Sequence, residues 1–285
     1  PPRTRVSRVF RSIAFAMISL LRSDSRSLLC HVSARLSIPA RRGILVRVIF
    51  LEEKRLNKFI ADSGHCSRRE ADRLIGEGRV TVDGRPGVLG DKIEDGMRVS
   101  VDGRPLSGRG ERVYIALNKP VGIVSTADPR EPYNVVSYLN YPVRVFPVGR
   151  LDRDSEGLLL LTSDGEIVNR LLRAAGGHER EYEVEVDRPV TREFLEKMMK
   201  GVPILDTVTL PCRARRTGDK SFNIVLVQGL NRQIRRMCEA LGYNVKKLRR
   251  VRILDIRLGD MQPGRWRLLT PREMQTLERA GIVRK

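Results

Sequence analysis

Aromatic residues are scarce in this 285-residue chain: one Trp, six Tyr and seven Phe, 5% of the total. So small a supply argues against a sheet studded with base-stacking rings. Four cysteines, Cys30, Cys66, Cys212 and Cys238, stand far apart with no CxxC pair, and the histidines are His31, His65 and His178. That set supports neither a zinc cluster nor a disulfide framework, so no metal is expected and a reducing interior compartment fits best. No apolar run reaches the roughly 18 residues that span a bilayer, and no membrane partner is expected. A P-loop and a dinucleotide-binding glycine fingerprint are both missing, and no cofactor is expected.

Positive charge is what the chain has in excess. Lys and Arg number 54 against 34 Asp and Glu, a formal net charge of +20. The first 53 residues hold ten Arg, no Lys and three acids, and the remainder still carries 44 basic against 31 acidic residues, net +13. A basic surface of that size favours a polyanion through counterion release, nucleic acid being the commonest, with general solubility as the plain alternative. Residues 1–53 resemble an organelle transit peptide in composition and read equally well as a non-native extension. They are set aside as a disordered leader. The expected location is cytoplasmic, and organellar only if that leader is a true transit peptide.

From residue 54 the texture changes. Leu56, Phe59 and Ile60 recur at helical spacing up to Gly64. Ser67-Arg68-Arg69-Glu70 has the spacing of a capping box, in which the Ser67 hydroxyl accepts from the Glu70 amide and the Glu70 side chain reaches back. Ala71, Leu74 and Ile75 continue a second helix to Gly78. Arg79-Val80-Thr81-Val82 then alternates like a strand before the turn signal Asp83-Gly84, and Val99-Ser100-Val101-Asp102-Gly103 repeats that pattern. Lys58, Arg68, Arg69 and Arg73 form a basic face on the helical side, suited to phosphates and RNA shape more than to base edges. A charged, solvated helix pair is the alternative. Residues 54–102 are similar, nearly throughout, to the alpha-L RNA-binding domain named after small-subunit ribosomal protein four. Residues 103–112, polar and Gly-rich, read as a linker.

The larger unit, 113–278, begins with the strand Val113–Leu117, which Pro120 stops. In Gly149-Arg150-Leu151-Asp152-Arg153-Asp154-Ser155-Glu156-Gly157, followed by four leucines and Thr162, the leucine run reads as a strand buried on both faces. Arg150 and Asp152 therefore sit on a loop entering the deepest part of a sheet, where a carboxylate needs a cationic partner. Such a fixed, ionised carboxylate serves either as one half of a structural ion pair or as a nucleophile. These residues alone leave both open.

The run GRLD at 149–152 with SEGLLLLT at 155–162 resembles the catalytic loop of the RsuA-type ribosomal RNA pseudouridine synthases. Asn118-Lys119-Pro120-Val121-Gly122 is similar to that family's first, structural motif, and Glu181-Tyr182-Glu183-Val184 to its tyrosine segment. Gln228-Gly229-Leu230-Asn231-Arg232-Gln233-Ile234-Arg235-Arg236-Met237 is similar to its third motif. The resemblance runs from about Leu56 to Leu269. The phrases GVPILDTVT and LVQGLNRQIRRMCEALGYNVKKL look most like the RluF branch, which acts on large-subunit ribosomal RNA.

The resemblance implies an α+β protein, a catalytic domain on a mixed, mainly antiparallel sheet preceded by the small RNA-binding module. It implies that Asp152 is the catalytic residue, that Arg235 pairs with it, that Tyr182 lies at the active site and that Ile234 packs near the base. Arg150 is a second candidate for fixing the loop. Arg232, Arg236, Lys246 and Lys247 are expected to hold RNA phosphates, although the same cations fit a solvated face. The reaction expected is isomerisation of uridine in 23S ribosomal RNA by a monomer, through a covalent adduct or a glycal, with Tyr182 a candidate for the final base. The alternatives are a non-catalytic ribosome-assembly or RNA-binding factor, or the same chemistry on small-subunit or transfer RNA.

Overall fold

The computed structural model describes residues 53–107, 112–172 and 177–283. The leader expected over 1–53 lies, but for residue 53, outside the described residues. In the small N-terminal domain a short strand β1 (Lys54–Arg55) leads into helices α1 (Leu56–Asp62) and α2 (Arg68–Gly76). Strands β2 (Val80–Val82), β3 (Arg85–Pro86), β5 (Val99–Val101) and β6 (Arg104–Pro105) form a four-stranded sheet, and β4 (Lys92–Ile93) pairs with β1. Leu56, Ile60, Leu74, Val80 and Val101 fill its core, with Leu106 packed against it. Arg104 and Pro105, within the stretch expected as linker, pair in this sheet as β6. Half of the expected capping box forms: Ser67 accepts from the Glu70 amide, while the Glu70 carboxylate turns to Arg73.

The second domain is built on a nine-stranded sheet in the order β13-β14-β10-β15-β9-β7-β17. These strands are β7 (Tyr114–Lys119), β9 (Glu156–Thr162), β10 (Arg180–Val186), β13 (Arg213–Gly218), β14 (Ser221–Leu226), β15 (Val245–Ile253) and β17 (Trp266–Leu268). Strand β8 (Phe146–Val148) pairs with β9, and β16 (Ile256–Arg257) pairs with β15. A small hairpin of β11 (Pro203–Ile204) and β12 (Thr207–Val208) stands apart. All pairs are antiparallel except β15 with β9, where Arg249 and Arg250 face Glu156 and Gly157 in parallel register. The sheet is therefore mixed and mainly antiparallel, as expected.

The leucine run explains why β9 sits at the centre. Leu158 and Leu160 enter one core with Ile167 and Leu171 of helix α4 (Gly165–Leu172), while Leu159 and Leu161 enter another with Val135 and Leu139 of α3 (Val135–Leu139). Period-two alternation forces this split, and both faces must then be covered. Helices α5 (Arg192–Lys200) and α6 (Gln233–Ala240) cover β10 and β14 through Phe194, Met198, Ile234 and Met237. Helix α7 (Pro271–Arg279) opens with a full capping box at Thr270 and Glu273 and buries Leu277. Lys58 of α1 pairs with Glu166 of α4 at 2.7 Å, tying the small domain to the large one.

Candidate active site

The loop carrying Asp152 is fixed before it reaches β9. The Ser125 hydroxyl donates to the Leu151 carbonyl at 2.9 Å and accepts from the Leu151 amide at 3.1 Å. The Gly122 amide donates to the Arg153 carbonyl at 2.7 Å. The turn supplying these groups is held by Lys119, 0% exposed, whose ammonium donates to the carbonyls of Pro120 and Ile123 at 2.9 and 2.8 Å. Burial pushes that ammonium down to about 8, against the opposing pull of Asp154 and Asp152. The first motif, expected to be structural, thus clamps the loop that holds the carboxylate.

Two guanidinium groups reach Asp152. Arg232 lies 3.5 Å from its Oδ2 and Arg235 lies 3.8 Å away, both ion-pair contacts longer than a good hydrogen bond. Arg235, its side chain 12% exposed, also donates to the Asp154 carbonyl at 3.0 Å and to the Ser155 hydroxyl at 3.1 Å, and sits 3.2 Å from the Asp154 carboxylate. It crosses from α6 to gather the whole loop. Arg232 sits in the left-handed region at φ 49° as the N-cap of α6, a backbone state that is costly for a residue with a Cβ. The Asp152 side chain remains 31% exposed, at the wall of an open cavity and not at the floor of the sheet.

That cavity measures about 350 Å³, within the range of small-ligand sites. Arg150, Asp152, Tyr182, Arg232 and Ile234 all line it, together with Arg180, Leu248 and Arg250. Tyr182 of β10 faces Arg250 of β15 across the ladder, with the Arg250 guanidinium carbon 6.0 Å from the ring centroid. Ile234 is buried at the start of α6 and joins the core behind the cavity.

Several expected roles change. Arg150 lines the cavity but is exposed and has no ion pair or hydrogen bond among the described residues, because Leu151 turns into the core and sends its neighbours outward. Ser125, Gly122 and Arg235 fix the loop in its stead. Arg232, expected on phosphate, pairs with Asp152 and Asp154. Lys58 is spent on Glu166, and Arg73 is held between Glu70 and Glu77 on its own helix. Arg68 and Arg69 are exposed and form no ion pair among the described residues. Arg236 donates to Asn231, and Lys246 is exposed. Lys247 pairs with Glu156 and turns to the sheet face opposite the cavity, where it lines a polar groove with Glu183 and Arg249.

The residues missed were Arg180, Arg250, Leu248 and Ser155. Alternation in Lys247-Leu248-Arg249-Arg250 held the signal, since Arg250 shares a face with apolar Leu248 and therefore points inward. The density of charge in that stretch hid it.

A family model described as RNA pseudouridylate synthase matches residues 113–240, and one described as S4 domain matches residues 54–99. The chain is 52% identical over 222 residues to the dual-specificity RNA pseudouridine synthase RluF of Escherichia coli (strain K12), with 77% of each chain covered. The chain belongs to the RNA pseudouridine synthase family. It is an RNA pseudouridine synthase with an S4 domain ahead of the synthase domain, the order expected. The ribosomal large subunit pseudouridine synthase B of Bacillus subtilis (strain 168) is 38% identical over 233 residues, covering 79% of this synthase and 95% of the relative. A solved pseudouridylate synthase superposes with a TM-score of 0.58 at 29% identity, covering 78% of this chain and 99% of that one.

Proposed function

We propose that this synthase isomerises uridine to pseudouridine in large-subunit ribosomal RNA, with Asp152 acting on the ribose of an extruded nucleotide. The observation that carries the reading is one carboxylate, paired with Arg232 and Arg235, on the wall of a cavity that also presents Tyr182. Extruding the base costs a few kcal/mol. Stacking on Tyr182 returns roughly 1–3 kcal/mol. Asp152 either bonds to the anomeric carbon or takes the neighbouring ribose proton, and the flanking arginines hold it in place for either. The uracil then turns within the cavity and rebonds through carbon five. The relatives whose names specify RNA and the ribosomal large subunit support the substrate class. A monomer acting in the cytoplasm goes with that substrate.

Mapping pseudouridine in RNA from cells lacking this protein tests the reading. Loss at a defined position of large-subunit RNA is expected. Loss confined to small-subunit or transfer RNA overturns the substrate, and an unchanged map overturns the activity.

The S4 domain contributes through Arg68 and Arg69, the exposed cations of its helical face that form no ion pair among the described residues. Reversing both charges (Arg68→Glu with Arg69→Glu) is expected to weaken RNA binding and lower the slope of log K against log salt by about two. Binding titrations between low and moderate salt measure this. An unchanged slope removes the face from the RNA interface.

A further inference from the structure

Two arginines at the inner end of the cavity take no part in holding Asp152. Arg250 is 3% exposed and donates its Nε to the Leu158 carbonyl at 2.7 Å, while its Nη2 is buried with no hydrogen-bond partner. Arg180 is 7% exposed and donates to the Leu171 carbonyl at 3.0 Å. Burial lowers the affinity of Arg180 for its proton, the nearby Tyr182 opposes that shift, and repulsion from Arg250 adds to it. Neither arginine has a carboxylate partner among the described residues. The charge of Asp152 is already matched by Arg232 and Arg235. A buried, unpaired guanidinium costs several kcal/mol, and this cavity wall holds two of them beside Tyr182.

We propose that Arg180 and Arg250 form a cationic floor that stabilises the negative charge on the uracil ring as it leaves the ribose. The inference rests on the isomerase reading above. When the bond from N1 to C1′ breaks, its electron pair stays with N1 and spreads onto O2 and O4. This holds whether C1′ is taken by the Asp152 carboxylate or C2′ gives its proton to it. The detached ring is therefore an anion by either route. The two fixed charges in the cavity wall act on the ring carbonyls that carry the developing charge, and they oppose re-protonation at N1 while the ring turns. Carbon five then bonds to C1′ with the C5–C6 π pair of the ring, the N1 pair moving in to replace it. As it does so, the C1′–Asp152 bond breaks and frees the carboxylate, or, in the glycal route, C2′ takes its proton back from Asp152. The proton on carbon five then leaves and N1 takes one up. Fixed donors aimed at charge that develops during reaction are the most effective kind of electrostatic catalysis, worth about 10²–10³-fold in rate for one donor.

Three variants test the floor: Arg250→Gln, Arg180→Gln and the charge-keeping Arg250→Lys. Single-turnover rates on the substrate RNA are expected to fall about 10²–10³-fold in Arg250→Gln, with RNA affinity within about threefold because no phosphate contact is lost. Arg250→Lys is expected to recover at least about tenfold of that loss, since the charge returns without the forked donor. A second measurement needs no RNA. Barbiturate, a uracil analogue already anionic at neutral pH, is expected to bind the wild-type protein more tightly than neutral uracil, and either Gln substitution is expected to remove that preference.

Wild-type rates in Arg250→Gln overturn the proposal, as does a wild-type cavity with no preference for barbiturate. A rate loss accompanied by a wild-type barbiturate preference also overturns it, since the role is then structural. Failure of the isomerase reading looks different: no RNA is converted by the wild-type protein, while the anion preference persists.

Discussion

Asp152→Asn is expected to leave the protein folded and bound to RNA while its conversion of uridine falls by more than about 10³-fold. The substitution keeps the volume and both polar atoms of the side chain, so the loop clamped by Ser125 and Gly122 has no reason to move. What disappears is the charge between Arg232 and Arg235, and with it a group able to bond to the anomeric carbon or accept a ribose proton. RNA affinity is expected to stay within about tenfold, because a carboxylate is not a phosphate contact. Chromatography of nucleosides from digested RNA reads the product by retention time, since isomerisation leaves the mass unchanged. Turnover near the wild-type rate in this variant would end the assignment of Asp152, whatever the map of modified positions shows.

Gly157→Ala is expected to be the most damaging single-methyl change in the synthase domain. Gly157 lies at φ 107°, and a Cβ built there meets the Arg250 carbonyl oxygen at 2.3 Å and the Arg250 amide nitrogen at 2.6 Å. Both are backbone atoms of β15 in the parallel pair with β9, so no side chain is able to swing away. The backbone state costs about 1–3 kcal/mol for a residue with a Cβ, and forcing an atom into a filled space costs about 1–3 kcal/mol more. A combined loss of about 2–6 kcal/mol corresponds to a melting temperature lower by roughly 4–24 °C for a domain of this size. Displacing Arg250 also pulls on the cavity wall, so activity is expected to fall by at least about tenfold at temperatures where the variant is folded. Thermal unfolding and single-turnover rates measure the two effects. A melting temperature within about 2 °C of wild type would show that the strands separate freely at that point.

Much of the site was legible because its signals are local. A loop of charges running into four leucines implies a strand buried on both sides with a polar residue at its mouth, and the cores on the two faces of β9 bear this out. Arg235 was expected beside Asp152 from the family resemblance, and its guanidinium lies 3.8 Å from that carboxylate. The division of labour among the remaining cations was not legible. Arg232, Arg250 and Lys247 belong to the same two basic stretches, yet one pairs with Asp152, one is buried behind Tyr182 and one faces away from the cavity. Lys58 and Arg73 looked like free phosphate ligands until acids from α4 and from their own helix took them up.

By itself the sequence determined the order of the two domains, the central place of β9 and the identity of the loop that carries Asp152. The burial of β9 on both faces follows from hydrophobic period and turn residues, which act over a few positions along the chain, and the other two from motifs that resemble known families. Only the tertiary structure decided which guanidinium meets which carboxylate and which is left buried without one. That outcome depends on the left-handed turn at Arg232, on the parallel register that sets Arg250 against Gly157, and on strand parity sending neighbouring residues to opposite faces. Ion pairing is a matter of distance in space, and residues some 80 to 100 positions apart acquire that distance only when the sheet is assembled.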